Sequence, residues 1–262
     1  MATKEVEINV ETVLNAKYAY LEMRKKRTPP MAIIALADMQ QDPNPFLNVV
    51  TDHRQVTLIG QIRLTEIYDP VAMALRYVRS GVNAVSLFTD KHIYTQGMDD
   101  LLLVARGVKH TPVLAQDFIL NPYHVAEARA SGASGLMLYS SILDPVELRD
   151  VVSTSQRWKM TTIVQANNEQ EMLYAAELSP HVIAVGEGVM FNRERDLPLL
   201  ERLRSLVPFY TRLMPMGCMV SLEDVGAVLE LDVNAIIVDE TLTRPRYESE
   251  QLSEMLDSHA ER

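Results

Sequence analysis

Residues 111–139 read TPVLAQDFILNPYHVAEARASGASGLMLY. Pro112–Ala115 is a short apolar run of strand length. Asn121-Pro122 follows, an N-cap residue before a proline suited to a first helical turn. Pro122–Ala130 then carries a helical pattern, and Gly135–Tyr139 is a second apolar run. Strand, helix and strand in this order predict two parallel strands joined by a crossover helix.

The same unit repeats outward in both directions. Further apolar runs stand at Val56–Gly60, Ala84–Phe88, Thr161–Val164, Val182–Val185, Arg212–Met216 and Ala235–Val238. Helical stretches fall between and after them, at Pro70–Arg79, Met98–Arg106, Pro145–Gln156, Glu169–Leu178, Leu197–Leu206, Leu222–Leu231 and Ser249–His259. Asp69-Pro70 and Asp144-Pro145 repeat the capping signal, and Ser221 with Asp224 reads as a capping box. Eight strand–helix repeats predict an α/β fold, a (β/α)8 TIM barrel. An open doubly wound sheet is the competitor, but no Gly-rich turn follows the first strand. Val10–Arg27 reads as a helix with apolar residues Val10, Val13, Leu14, Tyr18 and Leu21, stopped by Thr28-Pro29-Pro30. Met31–Met39 reads as a second short helix. The expected organisation is an N-terminal helical extension over residues 1–50 and a barrel over residues 51–262, one domain overall.

Composition narrows the function. The chain has 262 residues and a net charge of −10, from 35 acidic against 25 basic residues. This argues against a general nucleic-acid binder, which needs a basic face. The cluster Arg24–Arg27 reads as a solvated helix end. No apolar run approaches the length of a membrane span. One cysteine, Cys218, forbids an internal disulfide, and the start lacks the pattern of a signal peptide. The expectation is a cytoplasmic protein.

In a barrel, function sits where strands end and the following loops begin. Those ends carry Gln61 and Arg63, Asp90, Gln116-Asp117, Tyr139, Gln165, Gly186-Glu187, Met216-Gly217 and Asp239-Glu240. Three are glutamines, which hydrogen-bond but do not titrate near neutral pH and so make poor general acids or bases.

At these positions the chain resembles indole-3-glycerol phosphate synthase, a barrel lyase of tryptophan biosynthesis. The segments that carry the resemblance are DPVAMALRYVRSGVNAVSLFTD, the stretch TPVLAQDFILNPYHVAEARASGASGLML, LDPVELRDVV and SLEDVGAVLELDVNAIIVDETL. The helix around VLNAKYAYLEMRK resembles that family's N-terminal extension. The family closes an anilino-sugar phosphate into an indole, losing carbon dioxide and water. The resemblance implies a lysine general acid in a Lys-Asp-Phe motif, where this chain has Gln116. It implies glutamates where Gln61 and Gln165 stand, an asparagine where Gly186 stands, and a Glu-Ser-Gly motif where Met216-Gly217-Cys218 stands. The family's first-loop lysine aligns with Arg63. Of the implied phosphate cradle, the eighth-strand glycine is replaced by Asp239, and the first loop, Leu64 to Tyr68, is shorter than the family's.

Losing one general acid costs roughly 10²–10⁴ in rate. The joint loss of acid, carboxylates and anion cradle, with the fold signals kept, predicts a pseudoenzyme that serves as scaffold, assembly subunit or regulator. Its expected partner is another protein or a second copy, with no cofactor. The alternative is a site for a different neutral or cationic small ligand in the barrel mouth, held by Gln61, Arg63, Gln116, Gln165 and Asp239. A third reading is a residual synthase in which Lys91 or Arg63 replaces the missing lysine. Asp90, Glu187, Asp239 and Glu240 read as a solvated acidic rim rather than a metal site, since nothing in their spacing selects a metal. His92 reads as surface decoration and Cys218 as a buried inert thiol. Gly186 and Gly188 lack the third glycine of a dinucleotide loop. Met214, Met216 and Met219 read as interior filler, with Met216 reaching the mouth.

Overall fold

The computed structural model describes residues 10–50, 55–90, 97–244 and 247–260. Three helices come first: α1 (Val10–Arg27), α2 (Pro30–Asp38) and α3 (Phe46–Val50). Then strands and helices alternate: β1 (Thr57–Ile62), α4 (Pro70–Arg79), β2 (Ala84–Phe88), α5 (Met98–Gly107), β3 (Val113–Gln116), α6 (Pro122–Ala130), β4 (Gly135–Tyr139), α7 (Pro145–Arg157), β5 (Thr161–Gln165), α8 (Glu169–Glu177), β6 (Val182–Val185) and α9 (Arg193–Leu203). The chain continues through β7 (Arg212–Pro215), β8 (Cys218–Met219), α10 (Leu222–Leu229), β9 (Ala235–Val238), α11 (Glu240–Thr243) and α12 (Tyr247–Ala260). The expected caps form: Asp69 accepts from the Ala72 N–H, Asn121 from His124 and Asp144 from Val146 and Glu147.

The nine strands are parallel in the order β7-β6-β5-β4-β3-β2-β1-β9-β8. β7 and β8 are two pieces of one barrel strand, parted at Met216-Gly217. Gly217 has φ +95°, and a Cβ there would lie 2.6 Å from the Phe191 backbone nitrogen. Only glycine accepts both the conformation and the approach. β8 pairs with β9, and the Asn234 N–H donates to the Leu213 carbonyl of β7 at 2.8 Å. The pairings thus return to their start, and the sheet curls into the expected barrel.

Side chains alternate along each strand, so every second residue points inward. Ile59, Leu114, Met137, Ile163, Ala184, Met214 and Ile237 fill the interior. Val85, Val113, Leu136, Val164, Ile183 and Ile236 belong to the larger apolar layer shared with the helices. Phe46 and Val50 of α3 join the interior set. The Thr57 hydroxyl at the start of β1 donates to the Val49 carbonyl. Residues 46–50, read from the sequence as part of the extension, therefore close one end of the barrel.

Two helical expectations differ from the fold. α9 begins at Arg193, not Leu197, and Pro198 lies inside it. Its charged first turn hid the start, although Asn192 caps it by accepting from the Arg195 N–H. α1 keeps its expected bounds but not its expected face. Leu21 is buried, whereas Val10 and Tyr18 are exposed, and Lys17 is buried in their place. Arg24 is no solvated helix end either: it pairs with Glu127 of α6 at 2.7 Å. α1 is held to the barrel by ion pairs more than by an apolar stripe.

Candidate functional site

The alternation that fills the interior also aims the strand ends. Gln61 lies beside Ser86, Phe88 beside Gln116, and Tyr139 beside Gln165 in the strand registers. These residues share the inward parity of Ile59, Ala84, Leu114, Met137 and Ile163. Gly186, Met216 and Asp239 keep the same parity at or just past their strands. One rule of side-chain direction thus turns all the sequence-derived positions toward the barrel axis.

They do not all reach one pocket. A cavity of about 290 Å³ opens over β2 to β6. Phe88, Phe118 and Tyr139 give it aromatic walls, with Phe118 and Tyr139 in edge contact, ring centroids 5.2 Å apart. Gln116, Gln165 and Asn167 add amides, and Asp90, Asp117 and Glu187 add carboxylates. No lysine, arginine or histidine lines it among the described residues. Gln116 is 2% exposed, and its Oε1 has no hydrogen-bond partner. Gln165 Nε2 donates to the Gly186 carbonyl at 2.5 Å.

The other expected residues stand apart. Gln61 is buried and answered by Ser86, whose hydroxyl donates to its Oε1 at 3.0 Å. Arg63 and Asp239 pair with each other at 3.1 Å, and Asp239 also caps α11 through the Thr241 N–H. The charge that stands in place of the cradle glycine implied by the resemblance is therefore answered by a guanidinium. Met216 packs in the interior with Met214 and lies outside the cavity lining, while Met219 joins the outer layer. Cys218 is buried, and burial with nearby Asp239 pushes its thiol up to about 12. Glu240 pairs with Arg76 and Arg244, which hold its carboxyl below the usual range although burial opposes them. Lys91 and His92 lie outside the described residues. Among the described residues no group of three histidines, cysteines or carboxylates is placed to hold a metal ion.

Sequence reasoning missed the buried cation behind the site. Lys17 of α1 reaches behind the cavity wall, with Nζ 2.7 Å from Asp90 Oδ2 and in contact with Asp117 Oδ1. Asp117 also accepts from the Thr89 hydroxyl at 2.8 Å and faces His124 Nε2 at 3.1 Å. All five side chains are buried. Burial pulls Lys17 down to about 8 against the pull of Asp90, so it stays mostly protonated at neutral pH. A signal was present: Lys17 stands between Leu14 and Leu21 at spacings of three and four, within the apolar face. A charge there is rarely buried without a partner.

Burial, with the Lys17 ammonium beside it, drops His124 to about 3 from an ordinary 6.5. The folded chain thus refuses a proton that the unfolded chain accepts. As pH falls from 6.5 to 4.5, this histidine lowers the unfolding free energy by about 1 kcal/mol per unit. His124→Gln keeps a donor for Asp117 and should remove that increment. Denaturant melts of both proteins across this range would show it, and parallel slopes would contradict the assignment.

The loop after β6 frames the cavity with Glu187, Gly188 and Val189. It is organised by Asp196, fully buried in α9. Asp196 accepts from the Glu187 N–H at 3.2 Å, the Asn192 N–H at 2.8 Å and Arg195 Nε at 2.7 Å.

Comparison with known proteins places this geometry. The family model for indole-3-glycerol phosphate synthase matches residues 10–255. A relative named indole-3-glycerol phosphate synthase from Roseiflexus sp. (strain RS-1) is 30% identical over 252 residues, covering 89% of this chain and 94% of its own. One of the same name from Dehalococcoides mccartyi (strain CBDB1) is 28% identical over 247 residues, with the same coverage. Among solved structures, tryptophan synthase subunit alpha from Legionella pneumophila str. Paris superposes with a TM-score of 0.57 at 17% identity, covering 82% of this chain and 92% of that one. A 4-hydroxy-2-oxoglutarate aldolase/2-deydro-3-deoxyphosphogluconate aldolase gives 0.57 at 16% identity, covering 82% and 96%. Those two likenesses concern the fold.

Proposed function

The chain belongs to the indole-3-glycerol phosphate synthase family, and we propose that it is a non-catalytic member, a pseudoenzyme acting as scaffold, assembly subunit or regulator. One observation carries the reading. The inward strand-end positions Gln61, Gln116, Gln165, Gly186 and Met216 hold no ionisable side chain. The described cations nearest these positions are committed elsewhere: Lys17 to Asp90 and Asp117, Arg63 to Asp239, and Arg195 to Asp196. General acid work needs a proton donor within reach of the reacting atoms, and the titrating groups that line the cavity, Asp90, Asp117 and Glu187, are carboxylates with no described lysine, arginine or histidine among them.

The relatives' name denotes a product that carries a phosphate. This cavity meets such an anion with Asp90, Asp117 and Glu187 and, among the described residues, with no lining cation. That weighs against the residual-synthase reading. A partner fits the exposed apolar side chains Phe209, Met31 and Met39, of which Phe209 is 94% exposed. No helix among the described residues is long and apolar enough to cross a membrane, and a cytoplasmic setting suits the single buried thiol. A second reading, a small-ligand site at the mouth, draws on the open cavity and the unpartnered Gln116 Oε1.

Complementation tests the reading. A bacterial strain that lacks its own indole-3-glycerol phosphate synthase and requires tryptophan should stay dependent on tryptophan when it expresses this chain. Growth without tryptophan would overturn the proposal.

A further inference from the structure

We propose that the mouth cavity binds a small flat aromatic ligand that carries a cationic nitrogen donor, the reverse in charge of a sugar phosphate. This rests on the reading that the cavity performs no synthase chemistry.

Three independent features converge on that class. The first is shape. Phe88, Phe118 and Tyr139 wall a cavity of about 290 Å³, the lower end of the range for small-molecule sites. Aromatic faces attract a cation through their quadrupole and stack on a flat ring.

The second is charge. Asp90, Asp117 and Glu187 line the cavity. Lys17 compensates Asp90 and Asp117 from the far side and is absent from the lining. Glu187 is exposed at the rim, and its carboxylate makes no ion pair among the described residues. Glu187 therefore gives the rim a carboxylate that no cation answers among the described residues. An anion entering here would face these carboxylates with no lining lysine or arginine among the described residues to receive it.

The third is an acceptor that lacks its hydrogen. Gln116 lines the cavity, is 2% exposed, and leaves Oε1 without a partner. A buried carbonyl without a donor is costly, and such groups mark places where a ligand or water completes the bonding. Its neighbours do not supply the donor. Gln165 donates to the Gly186 carbonyl and Gln61 to the Ser86 carbonyl. A ligand N–H group, aimed by its ring against Phe118 and Tyr139, would supply it.

The test uses the full chain and three probes of nearly equal size: benzamidine (cationic), benzamide (neutral) and benzoate (anionic). Titrations followed by protein NMR should give benzamidine an affinity at least about tenfold above that of benzoate, with benzamide between them. Glu187→Gln, on an exposed side chain, should weaken benzamidine several-fold and leave benzamide unchanged. Gln116→Leu should weaken both nitrogen-bearing probes. Benzoate binding as tightly as benzamidine, or no probe binding up to its solubility, would overturn the inference. Product formation from the family substrate would instead overturn the non-catalytic reading. Absent turnover with benzoate preferred would leave that reading standing and remove only this inference.

Discussion

Replacing Lys17 with methionine should destabilise the fold by about 3–5 kcal/mol, the cost of removing one partner from a buried ion pair. The methionine fits the volume of the lysine stem but leaves Asp90 and Asp117 facing each other without their shared ammonium. Two buried carboxylates in that position must repel, take up protons or draw in water. Thr89 and His124 still serve Asp117, so the loss is one of charge more than of hydrogen bonding. α1 should also loosen, because Leu21 is its one fully buried apolar side chain and Arg24–Glu127 its other strong tie. Adding Asp90→Asn and Asp117→Asn to Lys17→Met should recover much of the loss, since replacing a whole buried network is far cheaper than breaking it. Equilibrium denaturation of the three proteins is the check. A loss below about 1 kcal/mol for Lys17→Met would place it with solvated surface pairs and refute its role as the buried partner of Asp90 and Asp117.

Asp196→Ala should cost about 3 kcal/mol, for a different reason. Asp196 is fully buried and gathers two backbone N–H groups and the Arg195 guanidinium. Hydrogen bonds to a charged acceptor are the stronger kind, and donors left unanswered in the interior carry their full desolvation cost. The Glu187 and Asn192 N–H groups would be so stranded. Asp196→Asn keeps one acceptor oxygen and should cost less than half as much. Because the loop carries Glu187, Gly188 and Val189 into the cavity, Asp196→Ala should also broaden their amide resonances. A stable variant with unchanged loop spectra would mean that the loop is held by something else.

The barrel was legible because its strands are buried on both faces. Ala84–Phe88, Gly135–Tyr139, Val182–Val185 and Ala235–Val238 read with their observed bounds, since a two-faced buried strand is a continuous apolar run between turns. β8 escaped notice because two residues after a glycine carry no period. α9 was misplaced because its first turn, Arg193, Glu194 and Arg195, is charged and offers no apolar period. At the site, Gln116 and Gln165 were legible as strand ends, and both line the cavity. Arg63 and Asp239 were legible as residues but not as a pair, being 176 positions apart. Lys17 was illegible in the same way: its partners lie 73 and 100 positions along the chain. Local pattern gives direction and burial. It does not say which charge meets which across the barrel.

On the proposed reading, this family barrel does no chemistry at its mouth. The direct measurement is formation of indole-3-glycerol phosphate from the family's anilino-sugar phosphate, with the chain in excess over substrate so that a single turnover would register. Product should form no faster than in buffer alone, with no change on Gln116→Leu. Product above the buffer rate that falls in the Gln116→Leu protein would contradict it, and would turn the search to a displaced acid.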